Sequence, residues 1–180
     1  MRSDHKTKRS RGSFTVELPG VLFVLFMLLV FPLLNLATVT LRYTYLLEAA
    51  RDAAHLAAQA KTFLVNADSN NQSAVNTAQS RINLTADSYT GVTFNSVITR
   101  IRITNIANHT VTTQTTPLAT PADTNVNYYA IEVVINGSCQ PLLSYTDGLG
   151  NFFNIPGLTS PMTYTVSSQE MCENTQGLTQ

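Results

Sequence analysis

The chain has 180 residues, in which 11 Lys and Arg are cancelled by 11 Asp and Glu, and charged residues make up only 12% against 44% hydrophobic. A neutral chain of this kind is not a nucleic-acid-coating protein, and its length allows about one domain with an extension.

The charge is unevenly placed. Residues 1–12 form a basic leader in which Arg2, Lys6, Lys8, Arg9 and Arg11 face only Asp4, whereas beyond Arg102 there is no Lys or Arg at all. Between Glu17 and Arg42 lie 24 uncharged residues, 18–41. As a helix these extend about 36 Å, enough to cross a hydrocarbon layer roughly 30 Å thick. The stretch from Val21 to Leu34 has no polar side chain, so it is apolar on every face, as a lipid-facing helix is and a core helix of a small domain is not. A secretory signal peptide fits less well, because the apolar run is long and no small-x-small site followed by a loop comes after it. The preceding basic residues place the N-terminus in the cytoplasm, predicting a single pass through the inner (cytoplasmic) membrane and an exported, periplasmic or extracellular, body.

Past residue 41 the sequence is rich in Ala and Leu, so helix is expected to continue over residues 13–62 as one membrane-spanning and extended element. Leu46, Ala50, Ala53, Ala57 and Ala60 recur at helical spacing and form a face of small side chains, suited to packing on the protein's own domain or on neighbouring subunits. Pro19 falls near the start of the helix, and Pro32 in its interior is expected to bend or locally open it.

Residues 63–180 read as an exported α+β domain. Ser73 is placed to cap a short helix over 73–82. Strand-like runs follow at 91–105, 127–135, 139–145 and 162–167, with residues 110–125 as a long loop or irregular edge. Val97, Thr99, Ile101 and Ile103 alternate with Ile98, Arg100 and Arg102, which predicts one buried and one wet face, and Tyr129, Ile131, Val133 and Ile135 suit a neighbouring strand. The fold class expected is therefore α+β: a long N-terminal transmembrane helix continuing into a small exported domain with an antiparallel sheet. Cys139 and Cys172 are the only cysteines, and export would permit a disulfide between them, with two free thiols as the alternative. Such a bridge would contribute about 3 to 4 kcal/mol by loop closure.

Catalytic patterns are sparse. His5, His55 and His109 show no metal-ligand spacing, the two cysteines make no zinc pattern, and Asp147-Gly-Leu-Gly150 reads as a turn, not as a phosphate cradle. No enzyme activity, cofactor, metal or nucleic-acid partner is expected, Arg100 and Arg102 forming a basic spot and not a track.

Glu17 stands at the edge of the apolar run, where a carboxylate is costly without a partner. Arg11-Gly12 followed by Ser13-Phe-Thr-Val16-Glu17, the apolar run, and then Glu48-Ala-Ala-Arg-Asp-Ala-Ala-His-Leu-Ala-Ala58 resembles the N-terminal third of TadE-like pseudopilins of tight-adherence pilus systems, with their type IV pilin-like processing site. Phe14, Thr15, Pro19 and Gly20 depart from the commoner residues of that pattern. The resemblance implies cleavage between Gly12 and Ser13 by a prepilin peptidase, and pairing of Glu17 with the freed amino group of Ser13. It also implies the role of a minor pilin structural subunit, with membrane lipid, an inner-membrane platform and other pilin subunits as partners. The alternatives are an uncleaved single-pass protein whose exported domain binds a wall component or another protein, and, more remotely, an enzyme secreted after cleavage beyond the apolar run.

Overall fold

The computed structural model describes residues 13–143 and 154–180, and the side chains from Leu18 onward. Helix runs from Ser13 to Ala58 in three consecutive pieces: α1 (Ser13–Leu25), a π-helical turn (Phe26–Val30) and α2 (Phe31–Ala58). The Phe31 amide donates to the Phe26 carbonyl, the five-residue register of a π turn. Pro32 lies just beyond it, and having no amide hydrogen it breaks the regular ladder at that point. The expected local opening at Pro32 is therefore present, and the helix does not end there. Helix α2 stops at Ala58, four residues short of the expected end.

Ser73 caps α3 (Ala74–Ser88), its hydroxyl accepting from the Asn76 amide, and the helix continues past the expected end at Ile82. Four antiparallel strands follow: β1 (Val92–Asn105), β2 (Val111–Gln114), β3 (Asn127–Cys139) and β4 (Met162–Met171), in spatial order β2-β1-β3-β4. The alternation read in the sequence sets the register, with Ile101 opposite Ile131 and Arg100 opposite Glu132. One sheet face buries Ile101, Tyr129, Ile131, Val133, Ile135 and Val166, while Ile98, Tyr128 and Met171 on the other are exposed.

Four strand readings change. The region 110–125 contributes a short edge strand, β2, and β3 and β4 each run four residues further than expected. The run over 139–145 is not a strand as far as it is described: Cys139 ends β3, and residues 140–143 leave the sheet.

Helices α2 and α3 cover the buried sheet face. Leu46, Ala50, Ala53 and Ala57 are all in the core, joined by Ala49, Ala54 and Ala58, so the small-residue face packs on the protein's own domain. Ala74, Ala78 and Ile82 complete the layer from α3, and Arg81 of α3 ion-pairs with Asp52 of α2.

The C-terminal tail is held without a disulfide. Cys139 and Cys172 are both free. The Cys172 amide donates to the Tyr129 carbonyl at one end of β3, and Cys139 is the last residue at the other end. Ten strand residues separate those positions by about 33 Å, whereas a bridge needs Cα atoms within about 7 Å. What closes the tail is hydrogen bonding: Phe63 and Leu64 amides donate to the Gln180 carbonyl at 2.9 and 2.8 Å. Gly177 makes this approach feasible, since a Cβ there would fall 1.6 Å from the Lys61 carbonyl oxygen.

Candidate functional site: the bare helix and the clamp above it

The feature that separates this molecule from an ordinary small domain is the helix below the sheet. From Leu18 to Leu29 every residue is exposed, Leu28 at 74%, and the whole element Leu18–Ala58 is long and apolar enough to cross a membrane. Burying a Leu or Phe side chain is worth about 1.5–3 kcal/mol, so the ten large apolar side chains of this stretch left in water would oppose solubility strongly. Some apolar surrounding must take them up.

Of the residues expected to matter for processing, Gly12 lies outside the described residues, and Ser13 and Glu17 are placed only as helical backbone in α1. Both Ser13 and Glu17 lie in α1, the element that carries the apolar run.

Where the helix enters the head, two polar side chains pin a connecting segment to it. Asn35 is 1% exposed. Its amide nitrogen donates to the carbonyls of Leu158 at 2.7 Å and Leu143 at 3.3 Å, and its oxygen accepts from the Leu143 amide at 3.1 Å. One side chain thus satisfies three backbone groups on two stretches of irregular chain, a strong requirement wherever water is scarce. Two turns further on, Arg42 donates from Nη1 to the Pro141 carbonyl at 3.0 Å and also to that of Gln140. Gly91, at φ +78°, stands against the Arg42 guanidinium, where a Cβ would come within 2.3 Å of Cζ. Asn35 was not singled out by sequence reasoning. Its signal is visible afterwards: a lone amide between Leu34 and Leu36 within an otherwise aliphatic run.

The head itself carries two charged arrangements. On the open sheet face Glu132, 5% exposed, accepts two hydrogen bonds of 2.9 Å from Arg100, with Arg102 Nη1 4.0 Å away. This bidentate bond pushes the Arg100 guanidinium pKa above its ordinary value. On the helical side an open groove of about 1190 Å³ is lined by residues that include Tyr45, Asp52, His55, Arg81 and Tyr89, with the Tyr45 and Tyr89 rings stacked at 4.3 Å. Among the described residues no group of three His, Cys, Asp or Glu is placed to hold a metal. Burial raises the thiol pKa of both Cys139 and Cys172, which disfavours the thiolate.

No family model matches the chain, and no curated protein or solved structure is found to match it.

Proposed function

We propose that this protein is a membrane-anchored structural subunit: α1 and the first turns of α2 cross the cytoplasmic membrane once, and the α+β head stands on its outer side. The single observation that carries this reading is the bare apolar helix, continuous with a head whose core it also builds. Because α2 is both anchor and core element, head and membrane segment form one mechanical piece, fit for holding a domain at a set height above a bilayer. The basic leader supports the orientation with the N-terminus in the cytoplasm.

Two finer roles follow from this frame. In the first, the subunit is a pseudopilin: a prepilin peptidase cuts after Gly12, Glu17 pairs with the new amino group of Ser13, and a platform transfers the helix from lipid into a bundle with other pilin subunits. Such a transfer replaces one apolar surrounding by another, so it needs no new hydrophobic driving force, only charge pairing at the end that was held in lipid. The sequence around Gly12 and Glu17 supports this role. In the second, the chain stays uncut and its head binds a protein or wall component from a fixed anchor. All the described features, including the open groove, fit this simpler role without a cleavage step.

Intact mass and N-terminal sequencing of the protein extracted from native membranes decide between them. A chain starting at Ser13, and full-length retention in a Gly12→Val variant, supports the pilin role. A chain retaining Met1 removes the pilin role and leaves the anchor, whereas a start beyond residue 41 overturns both.

A further inference from the structure

The segment clamped by Asn35 and Arg42 lies at an unusual height. Counted from Leu18, the first residue after Glu17, a span of about 20 residues ends near Ala37, two positions beyond Asn35. The free helix below Asn35, residues 18–34, covers only about 26 Å against a hydrocarbon layer roughly 30 Å thick. The backbone that Asn35 binds is therefore level with the outer edge of the hydrocarbon.

The side chains there are apolar and uncovered. Leu142 is 54% exposed, Leu143 53% and Ile155 47%. Gly157 packs close to Val39, so both stretches lie against the same turns of α2. The described residues 133–143 and 154–169 contain no charged side chain, so what is described of the lower end of the head has little to repel lipid. Arg42, seven residues above Asn35, stands about 10 Å higher, at headgroup level, where a guanidinium is well solvated. Irregular backbone at membrane depth is tolerated when its polar groups are satisfied within the protein, and Asn35 supplies three of those bonds.

We propose that Leu142, Leu143 and Ile155 form a second membrane contact, dipping into the acyl-headgroup boundary of the outer leaflet beside the helix. The lipid surface that holds the helix is thus continuous with the underside of the head. The head is seated on the bilayer and fixed in tilt and rotation, not swung on a stalk. This inference rests on the membrane-anchor reading and not on processing at Gly12.

The chain contains no Trp, so single Trp substitutions report depth without background. Full-length Leu142→Trp and Ile155→Trp variants would be reconstituted in phosphatidylcholine vesicles carrying bromine either high or low on the acyl chains. Leu28→Trp serves as the anchor reference and Val126→Trp as a reference on the head. The expected result is that both loop variants lose more than half their emission to shallow bromines and less to deep ones. Leu28→Trp should show the reverse preference, and Val126→Trp should stay unquenched. Adding Asn35→Ala to Leu142→Trp should weaken the shallow quenching, because the loop is no longer pinned. Unquenched loop variants beside a quenched Leu28→Trp overturn the proposal and leave the anchor intact. Blue-shifted loop emission without bromine quenching means that protein covers the patch, which also overturns it. An unquenched Leu28→Trp removes the anchor reading itself, and this inference with it.

Discussion

The helix from Leu18 to Ala58 carries large aliphatic and aromatic side chains in its first half and mostly alanines on the buried face of its second. Both halves are helical and apolar, yet they meet different surroundings. In the first half, under the anchor reading proposed above, a liquid hydrocarbon would accommodate any shape, in keeping with Leu, Phe, Val and Met all round and no preferred face. In the second, a rigid sheet supplies the bulk through Ile101, Ile131, Val133 and Ile135, and the helix must answer with small residues to come close. On that reading side-chain size follows the partner, fluid below and solid above.

Substitutions that exchange the two patterns test this division. The largest expected effect is at Leu46, fully buried where it touches Gly137: Leu46→Ala should destabilise the head by about 2–5 kcal/mol, while Leu28→Ala in the anchor leaves it unchanged. Denaturant unfolding of the bilayer-embedded protein, followed by circular dichroism, reads both, and equal shifts at the two sites would erase the distinction. A somewhat smaller loss, about 1–3 kcal/mol, is expected from Ala53→Leu, which forces bulk into the helix-sheet seam; an unchanged midpoint there would mean that the seam is loose. The smallest effect concerns the cysteines. Alkylation of the unreduced, denatured protein should label both Cys139 and Cys172, and reductant should leave the unfolding midpoint where it was. One disulfide per chain in the mass spectrum would contradict the placement of the two thiols at opposite ends of β3.

Much of this architecture was legible from local pattern. The charge-free run marks the long apolar helix, Ser73 marks the start of α3, and the alternation in β1 and β3 identifies the buried sheet face correctly. The errors arose where pairing over long sequence distances decides. Two cysteines in a chain expected to be exported suggested a bridge, but antiparallel register sends them to opposite ends of one strand. The short β2 exists because β1 offers it an edge, not because Val111 to Gln114 has a strong pattern of its own. At the candidate site, Gly12 and Glu17 are expectations from their spacing alone, whereas Asn35 went unnoticed, since its partners Leu143 and Leu158 lie more than a hundred residues away.

By itself the sequence determined the long apolar helix and the existence of a half-wet sheet, because hydropathy and periodicity are properties of neighbouring residues. Only the tertiary structure decided that the alanine face is spent on the head's own core, that the thiols stay apart, and that Asn35 ties the Leu143 and Leu158 backbone to the long helix. Those outcomes depend on strand register and on which backbone groups lack a partner once the chain is folded, and neither is written in any local stretch of residues.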